Sequence, residues 1–295
     1  MIGVLDSAAA TALKLSAFYE GLKVEGFSKN QNLTIEYHSA EGDYGRLPDL
    51  AADLVNRRVT LITAFGSPAA LAVRAVTTKI PVVFAVDANP SEIGLVASLN
   101  HPGANMTGVA GMGLRREQKR LELLHEIVPA TPVLGFLRNP QNSNQDAQIN
   151  DALAIAGKLG VQIKPFQAST GHDFSGVFGE LAQSRAGGLV IADDEFFLGA
   201  SAELGSLSAR YRVPAIFQGT AFAAAGGLIS YGTRLVELYH QAGAYSGLVL
   251  AGAAPADLPI YQSTAIELVV NLRNAKALGI AFPQAIVDQA TTLIR

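Results

Sequence analysis

The residues of this 295-residue chain that could do chemistry stand in small, separate groups. The densest is Asp193-Asp194-Glu195. Adjacent carboxylates suit a metal ion or acid–base work. Acids at the start of a helix more often stabilise its dipole, and that duty, with capping, is expected for at least two of the three. The five histidines (His38, His101, His125, His172, His240) are scattered with no H-x-x-x-H pair, so no metal site is expected. Cysteine is absent, which removes disulfides, thiolate zinc sites, cysteine nucleophiles and two-cysteine racemase chemistry. Gly111-Met112-Gly113 precedes a helix as a dinucleotide loop would, but Arg116 stands where the third glycine belongs, and the stretch reads as a connector. Neither a phosphate loop ending in Gly-Lys-Ser/Thr nor a G-x-S-x-G elbow occurs. No catalytic constellation and no cofactor motif emerges, so binding is expected rather than catalysis.

The elements that must position these residues follow from composition and period. Hydrophobic residues make up 49% and charged residues 16%, enough apolar material for a sizeable core. A net charge of −3 offers no footprint for nucleic acid. No apolar run reaches the ~20 residues of a membrane span. Ile2–Leu5 reads directly as a strand with no export signal before it, which fits a cytoplasmic chain or a mature form already trimmed. Further strands are expected at Leu33–Tyr37, Val59–Phe65, Ile80–Val86, Pro132–Leu137, Val161–Phe166, Gly188–Ala192, Val213–Phe217 and Leu228–Tyr231. They are short, continuous and β-branched, as strands buried on both faces should be. Amphipathic stretches lie between them. One runs from about Leu114 to Val128, where Pro129 stops it, and another sets Phe18 and Leu22 one turn apart. This alternation predicts βαβ units and mostly parallel sheets.

The chain also repeats itself. Ile2–Ser7 matches Leu134–Asn139, Leu33–Ala40 matches Val161–Ala168, Leu54–Ser67 matches Leu181–Asp194, and Lys79–Val86 matches Arg212–Gly219. Two similar lobes are therefore expected, with ligand sites beyond the carboxyl ends of the strands. The matched strand ends carry Ser7 with Asn139, Ser67 with Asp194, and Asp87 near Thr220. If the lobes face each other, these residues line a shared cleft. Gly66-Ser67-Pro68 opens the helix Ala69–Val76, and its N–H groups would attract a carboxylate. Asn139 and Asp194 suit a cationic or donor group, so a zwitterion would fit both sides. Ser67 and Asn139 are equally good helix caps with no ligand at all. "GGLISYG", Gly226–Gly232, reads as a segment carrying the chain from the second lobe back to the first, with Tyr231 a candidate contact at its hinge end.

Several long phrases resemble one family. "AAGGLISYG", "YHQAGAYSGLVLAGAAPADLP" and "ELVVNLRNAKALGIAFP" are similar to the ABC-transporter solute-binding proteins of the tryptophan/tyrosine type. So are "AEGDYGRLPDLAADLV", "IPVVFAVDANPSEIGLVASLNHPGANMTGV", "KRLELLHEIVP" and "VPAIF", in order along the whole chain. The resemblance implies an α/β fold of the periplasmic-binding-protein type I: two similar Rossmann-like lobes with parallel sheets joined by crossing hinge strands. One lobe would comprise 1–112 with about 232–258, the other 113–231 with about 259–295. It implies a non-enzymatic, monomeric protein that hands a small molecule to a membrane permease and its ATPase, working in the periplasm or outside the cytoplasm. It places Ser7, Ser67, Asp87, Asn139 and Asp194 at family cleft positions. The ligand class is expected to be a small carboxylate, such as an aromatic amino acid or related acid. Many relatives read Gly-Asp-Pro-Phe-Phe where this chain has Asp193-Asp194-Glu195-Phe196-Phe197, and Gln218-Gly219-Thr220 also departs from them. Phe196, Phe197, Phe217 and Tyr231 could wall a ring, although lone aromatics are more often core. The alternatives are a two-lobed enzyme using a sugar or nucleotide and a cytoplasmic sensor core of the repressor type. The first lacks a phosphate loop or base, the second a DNA-binding segment before Ile2.

Overall fold

The computed structural model describes residues 1–111 and 113–295, with residues 113–116 described through their backbone alone. It divides the chain into two compact units, Met1–Gly113 with Arg234–Ala265, and Leu114–Thr233 with Ile266–Arg295. The connector reading of Gly111-Met112-Gly113 falls at this division, and Met112 lies outside the described residues.

The first unit alternates strand and helix: β1 (Ile2–Asp6), α1 (Ala12–Val24), β2 (Ile35–Ser39), α2 (Leu47–Asn56), β3 (Leu61–Phe65), α3 (Ser67–Val76), β4 (Val82–Val86) and β5 (Met106–Ala110). The second unit follows with α4 (Gly113–Ile127), β6 (Val133–Arg138), α5 (Gln145–Leu159), β7 (Gln162–Gln167), α6 (Gly171–Gln183), β8 (Leu189–Ile191), α7 (Glu195–Gly199), α8 (Ser201–Arg210), β9 (Ala215–Phe217), α9 (Thr220–Ala224) and β10 (Ile229–Thr233). The chain then returns to the first unit for α10 (Leu235–Leu250) and β11 (Tyr261–Gln262). It ends in the second with β12 (Ile266–Asn271), α11 (Leu272–Leu278), α12 (Gln284–Gln289) and β13 (Thr292–Ile294).

The first sheet runs β11-β5-β4-β3-β1-β2 and is wholly parallel. Every residue of β1, β3, β4 and β5 is buried, while the edge strand β2 is half-buried along its length. That is the pattern a sheet covered on both faces requires. One cover is α10, whose Leu238, Tyr239, Ala242 and Val249 join Phe18 and Leu22 of α1 over Ile2, Val4 and Phe65. The two helices meet backbone to backbone. A Cβ on Gly21 would lie 1.9 Å from the His240 carbonyl oxygen, and one on Gly243 would lie 2.1 Å from that of Phe18.

The second sheet runs β13-β12-β10-β9-β8-β6-β7, parallel except for the antiparallel pair β10–β12. The internal repeat is visible here. The order β4-β3-β1-β2 of the first sheet recurs as β9-β8-β6-β7 in the second, strand for matched strand. Apolar clusters cover both faces of this sheet, and the pleat deals alternate residues to each. Val190 and Ile216 face α4 and α5, whereas Leu189, Ile191 and Phe217 face α6, α8 and α9.

All nine expected strands are present, with ends displaced by at most two residues. Strands β5, β11, β12 and β13 are not among them. β12 is masked in sequence because it abuts α11 with no loop. Asn271 ends the strand and caps the helix, its Oδ1 accepting the Asn274 N–H at 2.9 Å.

Candidate functional site

In the first unit, parallel pairing puts the carboxyl ends of β1, β3 and β4 along one edge of the sheet. Ser7, Gly66-Ser67-Pro68 and Asp87 follow these ends directly. The ladder continues one rung past them: Ser7 N–H donates to the Phe65 carbonyl at 3.0 Å and Gly66 N–H to that of Ala85 at 2.9 Å. Ser7 is fully buried, and its Oγ accepts the Ala69 N–H at 2.9 Å. It therefore caps α3 from the neighbouring strand. Gly66 is the N-cap residue of α3, Pro68 carries no N–H, and the Ala70 N–H is taken by the Gly66 carbonyl at 3.1 Å. The half-buried Ser67 supplies the remaining amide of this turn and a hydroxyl. Asp87 is half-buried at the end of β4.

Beneath Ser7 lies a charged group that the sequence reading missed. The Asp6 carboxylate receives the Lys14 ammonium at 2.8 and 3.0 Å, the Ala8 N–H at 3.0 Å and the Tyr37 hydroxyl. The ammonium also sits 5.2 Å from the Tyr239 ring centroid and 5.8 Å from that of Phe65. Burial pushes the Asp6 carboxyl up from its ordinary value, and Lys14 opposes this by charge and hydrogen bond. A signal existed. Lys14, Phe18 and Leu22 are spaced by four, so Lys14 belongs to the apolar stripe of α1 and must be buried with it.

In the second unit the ends of β6 and β8 bring Asn139 and Asp194 together. Asn139 Nδ2 donates to Asp194 Oδ1 at 3.1 Å, Asn142 Nδ2 to Oδ2 at 2.8 Å, and the Phe196 N–H to Oδ1 at 3.0 Å. Asp194 is thus the N-cap of α7 and Glu195 lies in its first turn, the capping and dipole duty expected for two of the three acids. Asn139 Oδ1 accepts the Gln141 N–H at 2.9 Å, closing a tight turn. Both side chains are buried, with Asp194 5% exposed.

The four aromatic residues do not form a common wall. Phe196 stacks on Phe174 at 5.3 Å, and Phe197 packs beside them. Phe217 is fully buried in the same apolar cluster, with its ring edge on Phe222 at 5.9 Å. Tyr231 is half-buried against the cluster on the other face of the sheet. The pleat separates Phe217 from Tyr231, because Phe217 pairs with Ser230 and Tyr231 points to the opposite face.

A second buried charged group was also missed. Arg120 is fully buried, its Nη2 2.6 Å from Asp193 Oδ1 and its Nη1 donating to the Tyr231 carbonyl at 3.0 Å. Glu117, one turn earlier on α4, is 4% exposed. The signal is again a charge on an apolar stripe. Glu117, Arg120, Leu121 and Leu124 follow the helical spacing of three, four and seven. Among the described residues, no group of His, Cys, Asp or Glu could hold a metal ion.

The fold is that of the type I periplasmic binding proteins. Residues 2–294 match the family described as ABC transporter substrate binding protein, and the chain belongs to that family. It is 24% identical over 261 residues to a tyrosine-binding protein of Clostridioides difficile (strain R20291), covering 88% of this chain and 75% of that one. Among solved structures, it resembles an ABC domain from Streptococcus pneumonia in complex with L-Trp, 26% identical with a TM-score of 0.88 over 99% of each chain. It also resembles a conserved domain protein of Vibrio cholerae O1 biovar El Tor, 24% identical with a TM-score of 0.90 over 99% and 98% of the chains. The family is one of substrate-binding proteins, not of enzymes.

Proposed function

We propose that this protein captures a small carboxylate-bearing ligand, an aromatic amino acid or a related acid, for an ABC importer. The observation that carries the ligand class is the contrast between the two sets of strand ends. One offers the N-terminal turn of a ten-residue helix with Ser67 at its head, and the other offers a carboxylate held among amides. A helix N-terminus favours an anion, and a buried carboxylate favours an amine or hydroxyl. The relatives named for tyrosine and solved with L-Trp support the same class.

In this reading Ser67, with Gly66 and Pro68 shaping its turn, takes the ligand carboxylate. Asp194 meets the amine and Asn139 orients Asp194, while Asp87 and Tyr231 are further contacts. Ser7 and Phe217 support these residues from within the core, since both are fully buried. Hinge closure on the ligand is the state that a membrane permease with its ATPase would read. The protein acts outside the cytoplasm, as a monomer.

Titration calorimetry against L-tryptophan, L-tyrosine and benzoate, with a sugar and a nucleoside as controls, tests the ligand class. Binding of an amino acid is expected. Binding of the sugar or nucleoside with none of the acids overturns the reading. Asp194→Ala is expected to weaken an amine-bearing ligand by roughly 1–3 kcal/mol. Unchanged affinity removes Asp194 from the site.

A further inference from the structure

Asp194 follows directly on Asp193, and Asp193 is held from three sides. Arg120 of α4 pairs with its carboxylate at 2.6 Å. Gln148 of α5 donates Nε2 to its carbonyl at 2.7 Å. Its own backbone N–H donates to the Glu117 carboxyl. Through Nη1 and the Tyr231 carbonyl, the same guanidinium also reaches β10, just before the chain leaves for the first unit. One buried arginine therefore fastens the turn after β8 to a helix and to a strand.

We propose that Arg120 is a positioning residue for ligand recognition: through Asp193 it fixes the turn that aims Asp194, with Glu117 buried beside the pair. The proposal rests on the reading of Asp194 as a ligand contact. A guanidinium suits the task because its planar fork can serve two acceptors in fixed directions, which an ammonium cannot.

The charges support it. Glu117 faces Arg120 on its own helix, Asp193 at the end of β8 and Asp151 of α5. Two buried carboxyl groups thus share one guanidinium. Burial and the charge of Asp193 push the Glu117 carboxyl well above the usual carboxylate range, with Arg120 pulling the other way. Glu117 Oε1 has no hydrogen-bond partner among the described residues. A protonated Glu117 leaves one carboxylate for one guanidinium. Because the folded value is raised, this contribution is complete below the unfolded carboxylate value and is lost as pH rises through the folded one.

Arg120→Met alone would strand a buried carboxylate, so the test pairs it with Asp193→Asn. Calorimetry with L-tryptophan and L-tyrosine compares the wild type, this double variant, Asp194→Ala and the triple variant. The double variant is expected to bind about ten-fold more weakly, and the triple to bind within roughly two-fold of Asp194→Ala alone. Losses that multiply, or an unchanged double variant, overturn the proposal. If neither amino acid binds the wild type, the ligand reading fails by itself and positioning is read from amide exchange at Phe196, whose N–H donates to Asp194. Lower protection there in the double variant is expected, and equal protection overturns the proposal. Glu117→Gln keeps the shape and carries the test if the double variant does not fold. The Phe196 protection factor should fall with rising pH in the wild type and stay level in Glu117→Gln. A level wild type, or equal slopes, overturns the proposal.

Discussion

Lys14 and Asp6 form an ion pair with side chains 5% and 0% exposed, directly under the serine that caps α3. Taking two such charges out of water is costly, and removing one partner costs more than removing both. Lys14→Met is therefore expected to lower stability by about 3–5 kcal/mol in urea denaturation, and Lys14→Met with Asp6→Leu to recover most of it. A loss below about 1 kcal/mol would show that Asp6 takes up a proton instead of remaining an orphaned charge, the direction in which its burial already pushes it. The neighbouring turn depends on this pair for its shape, since the Ala8 N–H is bound to the same carboxylate.

Helices α1 and α10 cross backbone to backbone. Gly243→Ala would place a methyl 2.1 Å from a backbone oxygen that cannot swing aside, so the helices must separate. A loss on the order of 1–3 kcal/mol is expected from thermal or urea unfolding, and an unchanged midpoint would mean that the crossing has room for a methyl group. Helix α6 carries a pH signature. The Ser169 and Thr170 N–H groups donate to Asp173 Oδ2 at 2.9 and 2.8 Å, holding this carboxyl below its ordinary value. Its contribution is present above the unfolded value and is lost as pH falls through the folded one. Asp173→Asn should flatten the acid limb of a stability–pH curve, and a limb of unchanged slope would refute this. The period of the sequence made most of these elements legible. Strands buried on both faces read as plain apolar runs, and α4 answers the amphipathic stretch expected from about Leu114 to Val128. The strand-end positions were legible from the period, as with Ser67 after β3 and Asp194 in the turn after β8. A contact was hidden where the partner lies far along the chain. Tyr37 lies 31 residues from Asp6, and nothing local announces that they meet.

The whole molecule is interleaved. The first unit is interrupted by Leu114–Thr233, and the second is interrupted by Arg234–Ala265. Each hydrophobic core is thus assembled from segments distant in sequence. A chain ended after Ala265 keeps every described segment of the first unit and loses β12, β13, α11 and α12 from the second. Amide exchange is expected to show protection across β1 to β5 in this fragment and little across β6 to β10. Equal protection of both would show that β12 and β13 are dispensable to the second core.

The interleaving also sets an order of completion during synthesis. Once Gly113 has been made, the sheet of the first unit has neither α10 for its apolar face nor β11 for the edge of β5. Both are complete only when the ribosome has passed Gln262, a delay on the order of ten seconds at roughly 5–20 residues per second. For that interval the nascent chain carries a bare strand edge and an uncovered apolar surface, which β11 and α10 close in the finished unit.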